Sequence, residues 1–159
     1  MTIDSGKPTP EAQLQSFYDR FDPAHQKFIR SVQAAVRKRL PTANELVYDY
    51  ASFFVISYSP TDKGIDGIVS IAARADRVEL YFNHGPKLPD PKKLLQGSGK
   101  LTRFIRVETA GQLTHPEVEA FIAAAVDHSG FPLPSEGQGS LVIKTNKMAA
   151  AKKSRRSSP

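Results

Sequence analysis

The sequence predicts an α+β domain: an antiparallel sheet of about five strands with two main helices packed on one of its faces. Three observations lead there. Apolar residues recur at helical spacing near both ends of the 159-residue chain. Between them lie runs rich in aromatic and β-branched residues, the types that suit a pleated, half-buried surface. The turns joining those runs are short, and a parallel crossover needs a dozen or more residues, so neighbouring strands pair antiparallel. Each amphipathic helix needs an apolar surface, and one face of one sheet supplies both.

Residues 1–9 are polar, with Gly6 and Pro8, and predict a disordered start. A short helix is expected over Pro10–Tyr18. Asp22 and Pro23 then open a long helix, the aspartate as N-cap and the proline at the first helical position. Phe28, Val32, Ala35, Val36 and Leu40 form its stripe, and Pro41 closes it, because proline steers the preceding residue away from helical dihedrals. Residues 45–50 and 53–58 read as strands. Pro60, Asp62, Gly64 and Gly67 punctuate the turn that follows. Strands are expected over 67–74 and 77–82, joined by the short connection Ala75-Asp76. In the second of these, Val78, Leu80 and Phe82 alternate with Arg77, Glu79 and Tyr81, the pattern of a sheet with one wet face. Residues 103–109 repeat it, with Ile105 and Val107 opposite Arg106 and Glu108. Thr114-His115-Pro116-Glu117 fits a capping box for the last helix, whose stripe is Val118, Phe121, Ile122, Ala125 and Val126, with Gly130 as its stop. Residues 139–144 can add an edge strand. The single domain therefore covers 10–144, and 145–159 is expected to be a disordered basic tail.

The net charge of +6 suggests a polyanion-binding protein until it is located. Lys144, Lys147, Lys152, Lys153, Arg155 and Arg156 fall in the last 16 residues, with no acidic residue among them. The remainder holds 16 basic and 16 acidic groups. A neutral body has no excess charge to drive counterion release over a whole surface. There are no cysteines, which excludes disulfides, thiolate metal sites and cysteine nucleophiles. No apolar run reaches the length of a membrane span, and the N-terminal residues lack the pattern of a secretory signal, so a cytoplasmic protein without membrane contact is expected.

The most informative segment is Leu88-Pro89-Asp90-Pro91-Lys92-Lys93-Leu94-Leu95-Gln96-Gly97-Ser98-Gly99-Lys100. It reads as a proline-rich turn, a short helical patch and a glycine loop carrying a lysine. Together with Val78-Glu79-Leu80-Tyr81-Phe82-Asn83-His84-Gly85 before it, and Arg103 and Ile105-Arg106-Val107 after it, this segment resembles the YdhG-like family, a widespread bacterial domain of unknown function. The similarity covers residues 20–128. The resemblance implies a frataxin-like α+β shape and, from one branch of the family, intracellular iron chaperoning. Two departures bear on that implication. Phe104 stands where family members often carry a histidine. The first long helix has Asp22 as its one acidic residue against Lys27, Arg30, Arg37, Lys38, Arg39 and His25, whereas hard cations prefer clustered carboxylates.

The glycine loop is the first candidate site. Backbone N–H groups of Gly97, Ser98 and Gly99 beside Lys100 and Arg103 can hold a phosphate or carboxylate, and His84 sits nearby at a strand end. The loop is not a Walker A motif, because Leu94 and Leu101 occupy positions that motif reserves for Gly and Ser/Thr. The plain alternative is a glycine turn with a solvated lysine. The tail residues Lys152, Lys153, Arg155 and Arg156 are a candidate for weak, salt-dependent contact with nucleic acid or an acidic protein. Tyr48, Tyr50, Phe53, Phe54 and Tyr58 suit either base stacking on a sheet face or an ordinary core. His25, His84, His115 and His128 show no ligand spacing. Asp62 and Asp66 flank Gly64 without the rest of a calcium loop. Ser57, Ser59 and Ser70 lack a nucleophile-elbow context. No catalytic constellation is visible. The expectation is thus a non-enzymatic binding protein for a small anion, without a cofactor. Frataxin-like iron binding and a tail-driven nucleic-acid accessory are the alternatives.

Overall fold

The computed structural model describes residues 8–144. Two helices lead, α1 (Pro10–Tyr18) and α2 (Pro23–Arg39). Strands β1 (Asn44–Asp49), β2 (Phe54–Ser59), β3 (Val69–Ala73), β4 (Val78–Asn83) and β5 (Thr102–Val107) follow. Helix α3 (Pro116–His128) and strand β6 (Leu141–Ile143) complete the domain. The sheet has six strands in the order β5-β4-β3-β2-β1-β6. The first five form an antiparallel meander, and β6 lies parallel to β1. The sheet is therefore mostly antiparallel, with five meander strands and, as its sixth, the edge strand that the sequence offers over 139–144. A parallel neighbour is feasible here because the connection from β5 to β6 includes α3 and clears the length such a crossover needs.

Local chemistry sets the helix ends. Asp22 Oδ1 accepts from the His25 N–H at 2.9 Å, and Pro23 opens α2 as expected. The capping box at Thr114 does not form. Pro116 takes the first helical position of α3, which makes His115 the N-cap and leaves Thr114 in a preceding 3₁₀ turn (Ala110–Thr114). The Thr114 hydroxyl donates to the Gly111 carbonyl at 2.8 Å instead. The helix stops at His128 with Ser129 as its cap, one residue before Gly130. The helical patch expected after Pro91 is also absent. Asp90 accepts from the N–H groups of Leu94 and Leu95 at 2.8 and 2.9 Å, which holds the chain in a turn where Lys93 takes a positive φ of 56°.

Alternation assigns every strand residue to a face. Cross-strand pairing puts Val47, Phe54, Ile56, Tyr58, Val69, Ile71, Val78, Leu80, Phe82, Ile105 and Val107 together. These meet Leu14 and Tyr18 of α1, Ile29, Val32 and Val36 of α2, and Val118, Phe121 and Ile122 of α3 in one core. Tyr18 packs edge-on against Phe54 and Phe121 against Phe82, so all three helices cover the same face. Phe54 and Tyr58 are thus core residues. Tyr48 falls on the opposite, helix-free face, with Leu46, Val55, Ser57, Ser70, Ala72, Glu79, Tyr81, Asn83 and Phe104. Among the described residues no helix is long and apolar enough to cross a membrane.

Candidate ligand groove on the open sheet face

The helix-free face is not flat. The connection between β2 and β3, with its 3₁₀ turn (Gly64–Asp66), folds back over β1 and β2. Its shape is fixed from within: the Thr61 hydroxyl donates to Asp66 at 2.8 Å, and Ser59 Oγ donates to the Lys63 carbonyl at 2.9 Å. The end of the chain that reaches β6 forms a second wall. Between these walls lies a groove of about 740 Å³, within the usual size range for a small-molecule site. Its floor is Val55, Ser57 and Ser70, its sides include Tyr48, Val142 and Asn83, and Lys63 and Lys144 stand at its margin.

Two observations single this groove out. Ile65 and Leu101 both line it, and they are large apolar side chains left 74% and 46% exposed. They come from different loops, so tertiary structure alone brings them to one rim. The second observation is polar. Ser57 and Ser70 are a directly opposed cross-strand pair on the floor, and neither hydroxyl has a hydrogen-bond partner among the described residues. Ser57 is only 4% exposed. Among the described residues no fully enclosed side-chain nitrogen or oxygen is left unpaired, so the little that Ser57 exposes includes its hydroxyl. Gly67 makes room for this. A Cβ there would lie 2.5 Å from Ser57 Oγ and 3.0 Å from the Gly64 carbonyl oxygen. Asn83 donates its amide to the Gly67 carbonyl and so ties β4 to the same loop.

Two cations stand at the margin. Lys144 Nζ donates to the Asp62 carbonyl at 2.8 Å, which leaves further ammonium donors for a ligand. Neither Lys63 nor Lys144 pairs with a carboxylate among the described residues. Burial pushes the Tyr48 phenol up, opposed by a hydrogen bond from the Gly64 backbone, and burial pushes Tyr50 up too. Both phenols therefore stay neutral at physiological pH. Farther along the face, Glu79 accepts from Arg74 at 2.7 Å and Arg77 at 3.3 Å, and Arg74 lies over the Phe53 ring at 4.4 Å. Tyr50 stacks on Phe53, and Tyr81 on Phe104, each at 4.9 Å. These rings are partly used by one another.

The glycine loop borders the groove. Leu101 is its contribution to the rim. Gly97, Ser98, Gly99 and Lys100 are exposed. Gly97 has φ of 102° beside the Phe104 ring, a conformation that calls for glycine. Arg103 turns back and donates to the carbonyls of Gly99 and Thr102. His84 is left-handed at φ 59°, and its ring faces that of His128 at 6.1 Å between centroids. Asn83, one residue earlier, reaches the groove. Lys152, Lys153, Arg155 and Arg156 lie outside the described residues. Within the described residues, no group of three or more histidines, aspartates and glutamates comes together to hold a metal.

Sequence reasoning weighed Ser57 and Ser70 only as nucleophiles and passed over their role as a shared floor. The signal was available in part, since alternation puts both on the polar side of their strands. That they oppose each other, and that Gly67 seals one of them, needed the register. The chain matches no family model, no curated protein and no solved structure.

Proposed function

We propose that the protein is a non-enzymatic binding protein for small organic anions, and that the open-face groove is where they sit. The observation that carries this is the combination in one concavity of an apolar rim, Ile65 and Leu101, with two ammonium groups, Lys63 and Lys144, that pair with no carboxylate among the described residues. An apolar body takes the rim, and a carboxylate or phosphate takes the lysines. The 97–103 loop belongs to this reading as the adjoining wall, with Lys100 as a third cation and His84 behind it. Kinship with the YdhG-like family is part of the proposal and rests on the motif residues. Its iron-handling branch is the less favoured reading, because the described residues gather no carboxylate or histidine cluster.

The test is a titration of 3-phenylpropionate into isotopically labelled protein, followed by amide shifts. Shifts at Val55, Ser57, Ser70 and Val142 are expected, weakening as salt is raised. Lys63→Ala with Lys144→Ala lowers affinity, and Lys100→Ala lowers it less. Shifts confined to the 97–100 backbone would relocate the site to the glycine loop. An absence of shifts in both regions would refute the proposal.

A further inference from the structure

The Ser57–Ser70 pair narrows the ligand class. Resting on the anion-binding reading above, we infer that the groove recognises a bifunctional molecule: an acid whose apolar body also carries a neutral hydroxyl or carbonyl group, which hydrogen-bonds the two serine hydroxyls on the floor while the acid stays at the lysine margin.

The division of labour follows from the cost of burial. Each serine hydroxyl can donate once and accept twice, and the pair is unspent among the described residues. A nearly enclosed hydroxyl such as Ser57, 4% exposed, is expensive to leave without a partner. Filling the groove with a purely apolar body would shut that hydroxyl away and impose the cost. Filling the floor with a carboxylate would bury a charge against Val55 and Ala72, which costs more than burying a neutral group there. A neutral donor–acceptor group avoids both. The charged end then belongs where Lys63 and Lys144 meet solvent. Directly opposed strand positions have Cβ atoms about 5 Å apart, so one ligand oxygen can reach both hydroxyls. The glycine loop differs in offering its N–H groups and the Ser98 hydroxyl in the open, beside Lys100.

A matched pair of probes tests the inference: 3-phenylpropionate and 3-(4-hydroxyphenyl)propionate, which differ by one hydroxyl. Wild-type protein is expected to bind the hydroxylated acid about tenfold more tightly. Ser57→Ala and Ser70→Ala should each erase that preference, by weakening the hydroxylated acid and tightening 3-phenylpropionate, whose binding then strands one hydroxyl fewer; retained binding also shows that the variants remain folded. Lys63→Ala should weaken both acids by the same factor. Equal affinity of the two acids for wild type, with groove shifts for both, would overturn the serine subsite and leave the anion groove standing. A preference that survives both serine substitutions would likewise overturn it. Groove shifts from neither acid would remove both readings.

Discussion

Two buried polar residues of the sheet, Glu45 under the helices and Ser57 on the open face, are treated in opposite ways. Under the helices, Tyr18 donates to Gln33 at 2.7 Å, Tyr58 donates to Glu45 at 2.6 Å, and Gln33 donates to Glu45 at 3.3 Å. Arg37 closes the network on the other carboxylate oxygen at 2.7 Å. Glu45 is 5% exposed and is surrounded by donors. Burial, with the Glu45 carboxylate beside it, pushes the Tyr58 phenol well up, and burial also raises Tyr18 against the opposing pull of Arg30. Both remain donors across the physiological range. On the open face Ser57 is as deeply placed as Glu45, yet its hydroxyl is unspent. A polar group that serves the fold is satisfied by the fold. One left unspent at the floor of a groove is available to a partner from outside the fold.

That contrast can be broken in order of effect. Phe82→Ala, which removes an aromatic ring from the helix-side core where it meets Phe121, should cost about 3–5 kcal/mol in urea unfolding. Glu45→Ala strands the Gln33 amide and leaves Tyr58 only the longer bond to the Gln33 carbonyl at 3.3 Å; it should cost about 2–3 kcal/mol, less than a fully enclosed pair because Arg37 is half exposed. Gly67→Ala drives a methyl into Ser57 and the Gly64 carbonyl and should cost about 1–3 kcal/mol, with loss of probe binding. Ser57→Ala, though at a site as buried as Glu45, should change stability by less than about 0.5 kcal/mol, because no hydrogen bond of the fold is lost. A large loss in Ser57→Ala would mean that its hydroxyl serves the fold after all, and the contrast between faces would fail.

The smallest effect concerns acid. Burial pushes the Glu79 carboxyl up, but hydrogen bonds and charge from Arg74 and Arg77 more than offset this and leave it below its ordinary value of 4.5. A depressed folded-state value stabilises the protein above the unfolded-state value, and that contribution is lost as pH falls through the folded one. The stability gap between wild type and Glu79→Gln should therefore be full at pH 7 and shrink below about pH 4.5. A gap that grew on acidification would reverse the assignment.

Much of this architecture was legible in the residues. Helices α1 and α2 were readable because their starts carry strong local signals, Pro10 and the Asp22-Pro23 pair. The five meander strands were readable because alternation and short turns are sequence-local. The start of α3 was misplaced because the threonine–glutamate spacing and Pro116 compete for one boundary, and the proline ring wins. The short strand β6 carried a weak signal, three apolar residues whose partner β1 lies almost a hundred positions earlier. The candidate site was legible only at its edge: Leu101 and Asn83 adjoin the glycine loop and His84, whereas Ser57, Ser70, Ile65 and Lys144 are separated in the chain and share no motif.

By itself the sequence determined the fold class, the neutral body with its basic extension, and which strand positions are apolar, because these follow from periods of two and 3.6 and from composition. Tertiary structure alone decided that a loop and strand β6 would wall in the open face. It also decided that two serines would meet there with their hydroxyls unspent. Whether a buried donor finds a partner depends on atoms brought from distant segments to within 3 Å, and no local pattern encodes that distance.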